Sequence, residues 1–291
     1  MTATSLSPLL TALRPHQWAK NSLVFLPIVA AHKLARPETL WACTLSFAAF
    51  CLCASAAYVL NDLSDVDRDR RHPRKRSRPI ASGRLSASTG VLTAVMLLTA
   101  SFVLALAGVS WQLAAVLGVY LAATTAYTLW LKRLPVTDVF TLTAFYILRI
   151  VAGGVATSTP LSSWFLAFAL FLFLSLAFVK RYVELLAVDG PLLARDYGPE
   201  DASWMHAIGT SAGYMAVVVL ALYVTAPEVT ALYARPEILW LLCPLLLFWL
   251  TRLWFRAGRR LIHDDPVVEV LRDPVGYAIL ALAAAIVVAA V

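Results

Sequence analysis

Within nine residues, Asn61, Asp62, Asp65, Asp67 and Asp69 gather four carboxylates and an amide. At about 100° per residue along a helix, Asp62, Asp65 and Asp69 fall within an arc of about 60°, Asn61 borders them, and Asp67 points to the opposite side. Carboxylate and amide oxygens are hard ligands, the kind Mg²⁺ prefers while it also holds phosphate oxygens. Three carboxylates so close repel one another without a cation. Asn61, Asp62, Asp65 and Asp69 are therefore candidate Mg²⁺ ligands, and Asp62, Asp65 and Asp69 candidate catalytic residues. The alternative is a solvated acidic stripe paired with nearby arginines.

Cations follow at once: Arg70, Arg71, His72, Arg74, Lys75, Arg76 and Arg78, with Pro73, Pro79 and Gly83 among them. Guanidinium forks suit bidentate phosphate binding, and the prolines favour extended or turn geometry over helix. His72, Arg74, Lys75, Arg76 and Arg78 are candidate substrate-binding residues. Metal ligands followed by cations fit a ligand with a diphosphate and a further phosphate. Anionic lipid headgroups would draw on the same charges.

The elements that position this loop belong to a membrane. The chain has 60% hydrophobic and 14% charged residues and a mean hydropathy of +0.76, against about 25% charge in soluble domains. Apolar runs long enough to cross a bilayer alternate with short charged connectors. Nine spans are predicted, at about 18–34, 38–60, 87–109, 111–131, 135–156, 162–185, 203–226, 236–256 and 274–291. The expected fold is all-α, with residues 1–291 as one domain.

The net charge of +7 lies in the connectors, where a topology signal puts it, so nucleic acid is not expected as a partner. With the loop at 61–83 placed in the cytoplasm, twenty of the 24 Lys and Arg lie on its side. Lys33, Arg36 and Arg235 lie on the other, and Arg149 lies within a span. That asymmetry predicts a cytoplasmic N-terminus and active face and an outside C-terminus in the cell inner membrane. No removable signal peptide is expected. Cys43, Cys51, Cys53 and Cys243 all fall in apolar runs and are expected to be structural.

Lys20, Asn21, Lys132, Arg133, Lys180 and Arg181 occupy the cytoplasmic ends of predicted spans. They could form a cationic rim for phosphate groups, or follow the positive-inside rule alone. Tyr182 could contact a donor hydroxyl, and Glu184 could pair with Arg181 or Lys180. Arg149 lies about 16 Å along a helix beyond Asp138, near mid-membrane, where a cation faces a cavity or a partner. A lipid phosphate and backbone carbonyls are both candidate partners. The cluster His263-Asp264-Asp265-Pro266 reads as a capping turn.

The pattern Asn61-Asp62-x-x-Asp65-x-x-x-Asp69 and the basic Arg-Pro segment after it resemble the first aspartate motif of the UbiA superfamily of intramembrane prenyltransferases. The whole chain fits that resemblance, which implies nine helices around a central cavity with a cytoplasmic cap. The extended stretch from Asp69 to Gly83, with His72-Pro73, Lys75-Arg76 and Arg78-Pro79-Ile80-Ala81, is similar to the branch containing decaprenyl-phosphate phosphoribosyltransferase. So are Arg14-Pro15-His16-Gln17-Trp18-Ala19-Lys20-Asn21 and Lys180-Arg181-Tyr182-x-Glu184. In the second-motif region Tyr127, Lys132, Arg133 and Asp138 match, marking Tyr127 for substrate and Asp138 for catalysis. Leu134 and Leu142 stand four residues either side of Asp138, where aromatic prenyltransferases carry a second carboxylate.

The lone carboxylate favours the phosphoribosyl branch. The resemblance implies transfer of a 5-phosphoribosyl group from phosphoribosyl diphosphate to a polyprenyl phosphate with Mg²⁺ as cofactor. The rivals are prenyl transfer from an isoprenyl diphosphate, and a transporter or scaffold without chemistry. Membrane lipids are expected partners, and a homo-oligomer is compatible with the sequence. Some relatives carry a fused phosphatase-like domain, so a separate phosphatase acting on the product is a further expected partner.

Overall fold

A computed structural model describes residues 7–71, 75–188, 195–262 and 273–291. Among these the chain is all-helical. A short helix α1 (Pro8–Leu13) leads into an eleven-residue 3₁₀ stretch, Pro15–Phe25, and α2 (Leu26–Ala30). Then come α3 (Pro37–Ser64), α4 (Val66–Arg71), α5 (Ala87–Gly108), α6 (Trp111–Leu129), α7 (Thr137–Ala156), α8 (Ser163–Leu186), α9 (Asp201–Val224), α10 (Pro227–Thr230), α11 (Leu242–Gly258) and α12 (Pro274–Ala290).

Among the described residues seven segments are long and apolar enough to cross a membrane: α3, α5, α6, α7, α8, α9 and the stretch Pro236–Gly258 that ends in α11. The two remaining predicted spans are short. The first is the 3₁₀ stretch continued by α2, and α12 has 17 residues. Pro27 does not interrupt a helix; it stands in the first turn of α2, where its missing N–H costs nothing. α5 turns Val91, Leu92, Val95, Met96, Val103 and Leu106 outward. In water such a face would drive association; in hydrocarbon it is the lipid-facing surface of an integral membrane protein.

Contacts divide the chain into two compact units, 1–129 with 148–160, and 130–147 with 161–291; α7 contributes its two halves to different units. In the first, α3 packs on α5 through small residues. Ala49, Ala54 and Ala56 are buried, and the Ser101 hydroxyl donates to the Ala49 carbonyl at 2.8 Å. In the second, α8 packs on α9. A side chain at Gly209 would run into Phe178 and the Trp254 ring, so only glycine permits that approach. The Ser175 hydroxyl donates to the Gly209 carbonyl and accepts from the Trp254 indole, at 2.7 and 3.0 Å. All four cysteines are free and buried, as expected.

Candidate active site

The acidic stretch is built by one helix running into another. α3 ends at Ser64, and Asp65 leaves helical geometry (φ −99°, ψ 10°). Its N–H still bonds the Asn61 carbonyl at 2.9 Å, and the Asp69 N–H bonds the Asp65 carbonyl at 2.8 Å. Rotation therefore continues into α4. Asp62 and Asp69 fall on one buried face, each 2% exposed, whereas Asp67 is exposed beside Arg70.

Both buried carboxylates meet one guanidinium. Arg78 Nη1 donates to Asp62 Oδ1 at 3.0 Å and to Asp69 Oδ2 at 2.7 Å. Arg14 Nη2 donates to Asp62 Oδ1 at 2.6 Å while its guanidinium lies 5.0 Å from the centre of the Tyr58 ring. Asp65 stands by Arg68 at 3.4 Å, and Asn61 is half-buried. Among the described residues no three His, Cys, Asp or Glu side chains gather in a group that could hold a metal ion. The donor chemistry nevertheless fits Mg²⁺. Two buried carboxylates converge on a cation, and the guanidinium of Arg78 stands in that place.

The basic segment is a compact turn. Lys75–Ser77 forms one 3₁₀ turn, Gly83 takes φ +77°, and Leu85 N–H bonds the Pro79 carbonyl at 3.0 Å. Arg84 Nη2 donates to the Ser77 carbonyl at 2.5 Å and Arg70 Nε to the Ala81 carbonyl at 3.3 Å. Ile80 and Leu85 pack with Ala12, Val59 and Ala94. The backbone around Arg78 is thus anchored in a core, while Lys75 and Arg76 are exposed. His72 and Arg74 lie outside the described residues, as do His263, Asp264 and Asp265.

Deeper in the same unit, Lys20 and Asn21 are buried in the 3₁₀ stretch. Arg149 Nε donates to Asn21 Oδ1 at 2.7 Å, and Arg149 Nη2 to the Tyr120 hydroxyl at 3.2 Å. Asn21 Nδ2 donates to Cys51 Sγ at 3.3 Å. The Arg149 guanidinium also lies 5.0 Å from the Tyr120 ring centre and 5.8 Å from that of Phe50. The sequence located Arg149 and Asn21 but not their pairing, and nothing in it singles out Tyr120. A Cβ at Gly153 would collide with the Val24 carbonyl, so this glycine admits the 3₁₀ stretch against α7.

The second unit holds a different cluster. Asp138 and Arg181 are fully buried and paired, Nε to Oδ2. The Tyr197 hydroxyl donates to Asp138 Oδ1 at 2.8 Å and accepts from the Val136 N–H at 2.7 Å. Val136 has φ +67°, a costly geometry for a β-branched residue, and this bond helps hold it. Arg181 Nη1 donates to Glu184 Oε2 at 2.5 Å, and Arg195 reaches Glu184 at 3.4 Å and Asp138 at 3.7 Å. Burial pushes the Tyr197 phenol above its usual range, and Asp138 acts in the same direction against the Val136 N–H and Arg181. It therefore stays a protonated donor.

Arg181 thus turns inward to Asp138, while Lys180, one residue earlier, is half-buried. Tyr182 belongs to an aromatic group, 5.6 Å from His206 and 5.8 Å from Trp254 between ring centres. Tyr127 is half-buried near the end of α6, Lys132 is half-buried and Arg133 exposed. Sequence reasoning missed Tyr197 and Arg195. It also read Arg14 only as part of a motif.

A profile of the UbiA prenyltransferase family matches residues 23–266. The chain is 37% identical to the uncharacterized protein y4nM of Sinorhizobium fredii over 94% of its length, which is 54% of that protein. It is 38% identical to nodulation protein NoeC of Azorhizobium caulinodans over 90% of this chain and 86% of that one. Decaprenyl-phosphate phosphoribosyltransferase of Corynebacterium glutamicum is 42% identical over 61% of this chain and 54% of its own. The chain thus spans about half the length of two of these three curated relatives. A solved UbiA homolog from Archaeoglobus fulgidus bound to DMAPP and Mg²⁺ superposes with a TM-score of 0.73 at 16% identity, covering 96% of this chain and 99% of that one. It has the same fold. By the extent of the profile match and its length-wide relatives, this chain belongs to the UbiA prenyltransferase family.

Proposed function

We propose that the chain transfers a 5-phosphoribosyl group from phosphoribosyl diphosphate to a polyprenyl phosphate and releases diphosphate. The observation that carries this reading is the pair of buried carboxylates, Asp62 and Asp69, focused on one cation beside an arginine-rich turn. Asn61, Asp62, Asp65 and Asp69 would hold Mg²⁺, which when bound neutralises charge on the leaving diphosphate. Arg78, Lys75 and Arg76, with His72 and Arg74, would bind the donor's phosphates.

The bond from the ribose carbon to diphosphate breaks, and a bond from the same carbon to a lipid phosphate oxygen forms. The nucleophile arrives as an anion, so no protein base has to take a proton. Lys20, Asn21 and Arg149 are assigned to the lipid phosphate, and Lys132, Arg133 and Lys180 to phosphate contacts by charge. Arg181 and Asp138 are read as positioning residues, Tyr182 as a packing residue and Tyr127 as a substrate contact.

The choice of donor rests on Leu134 and Leu142, which stand four residues either side of Asp138 in place of a second carboxylate, and on the 42% identity to the Corynebacterium phosphoribosyltransferase. Prenyl transfer is the second reading, favoured by the fold shared with homologs bound to GPP or DMAPP and Mg²⁺.

Residues 1–291 form one transferase domain that crosses the cell inner membrane nine times. The 3₁₀ stretch rises about 2.0 Å per residue and α2 about 1.5 Å, so residues 15–30 reach roughly 30 Å, enough for a crossing. α12 makes the last, shorter crossing. The N-terminus is cytoplasmic, the C-terminus is outside, and α1, α4 and residues 75–85 belong to a cytoplasmic cap. Purified protein with Mg²⁺, a polyprenyl phosphate and radiolabelled phosphoribosyl diphosphate should yield labelled lipid. No labelled lipid, in a preparation that consumes an isoprenyl diphosphate, overturns the reading in favour of prenyl transfer.

A further inference from the structure

Arg78 stands where the proposed metal would stand. Among the described residues it supplies the only recorded ion pair of Asp69 and one of the two of Asp62, both through Nη1. Arg14 differs. It touches Asp62 alone, and its guanidinium is also held over Tyr58.

A divalent cation and a guanidinium cannot share one focus of two carboxylates, because like charges repel at that distance. One must leave, and Arg78 is built to do so. Its backbone is fixed by the bonds from Arg78 N–H to the Lys75 carbonyl and from Ser82 N–H to its own carbonyl, both 2.9 Å. Pro79 and Ile80 behind it are buried. Its side chain is 24% exposed, against 2–3% for the carboxylates. The head can therefore turn on a fixed stem.

We infer that Arg78 is an exchangeable counter-ion, an inference that rests on the metal–diphosphate reading above. Without donor, its guanidinium holds Asp62 and Asp69 together and weakens binding of a free divalent cation. When cation and diphosphate arrive together, Arg78 gives up the carboxylates and turns to the diphosphate oxygens, where a fork of donors binds bidentately. Metal and diphosphate then bind with positive coupling carried by one side chain, and the coupling is reciprocal. The site stays closed to bare cation and opens to the cation–diphosphate complex.

Mn²⁺ binding to the purified protein in detergent, followed by electron paramagnetic resonance with and without inorganic diphosphate, tests this. Wild type should bind Mn²⁺ alone weakly and Mn²⁺–diphosphate tightly. Arg78→Gln should tighten Mn²⁺ alone by about tenfold and lose most of the coupling, a size typical of such linkage. Should Arg78→Gln fail to fold, Arg78→Lys takes its place; a point charge bridges two carboxylates less well, and the same signs are expected with smaller amplitude. Unchanged or weaker binding of Mn²⁺ alone in the folded variant overturns the exchange. Failure of wild type to bind Mn²⁺–diphosphate overturns the metal–diphosphate reading itself, so the two failures are distinct.

Discussion

Asp62 and Asp138 are both buried aspartates paired with arginine, yet their surroundings differ in the property that decides their use. Around Asp62 the arginines are partly solvated, and Arg78 is shared with Asp69. Around Asp138 the innermost pair is closed to solvent. Arg181 is as buried as its partner, Tyr197 takes the other carboxylate oxygen, and Glu184 and Arg195 extend the network. A buried ion pair adds little net stability over apolar packing, but losing one partner strands a charge. The second cluster is therefore a strut that fixes the start of α7 and the strained Val136. The first is a carboxylate pair whose cation can be exchanged. Arg181, which holds Asp138 most closely, is fully buried, whereas Arg78 and Arg14 beside Asp62 are 24% and 20% exposed.

The sharpest way to break that comparison is at the strut. Asp138→Ala should lower stability by about 3–5 kcal/mol, the usual cost of stranding a buried charge, read as a fall in thermal midpoint in detergent. Replacing Asp138 and Arg181 together by leucine should recover much of that loss. A double variant as unstable as the single would show that the pair is more than a strut.

Asp65→Ala tests the proposed metal ligand beside the other cluster, paired with Arg68 in the structure, and should behave in the opposite way. Turnover should drop by about 10²–10³-fold, the scale for removing one charge-stabilising group, with the unfolding midpoint nearly unchanged. Undiminished turnover would remove the metal argument.

Tyr197→Phe probes the strut more gently. It leaves the Val136 N–H and one Asp138 oxygen without the hydroxyl, which should cost about 1–3 kcal/mol of stability, measured by thermal unfolding. The smallest effect is expected at the exposed cations. Lys75→Ala or Arg76→Ala should raise KM for the donor by about two- to fivefold, as exposed pairs do. That difference should shrink at high ionic strength.

The placement of Asp62 with Asp69 was legible in the sequence because the 100° rotation survives the break at Asp65, and so was the exposure of Asp67; Asp65 instead pairs with Arg68, and among the described residues no three carboxylates gather. Arg149 was legible as an intramembrane cation needing partners, and Asn21 as a residue of interest. Their meeting, across 128 residues, was not. Arg14 with Asp62 and Tyr197 with Asp138 are likewise tertiary choices across 48 and 59 residues. Lys180 and Arg181 looked alike as neighbouring cations, but a 100° step sends Arg181 into the core. The long 3₁₀ stretch before α2 had no signal, since such runs seldom exceed four residues.

The central claim is that the carboxylates of the first unit serve phosphoribosyl transfer. Its most direct test follows labelled lipid and released diphosphate together, in wild type and Asp65→Ala, with phosphoribosyl diphosphate as the only donor. The expected result is one labelled ribose in the lipid fraction for each diphosphate released by wild type, and neither product from Asp65→Ala. Diphosphate released only from an isoprenyl donor, or equal labelling by both proteins, would contradict it.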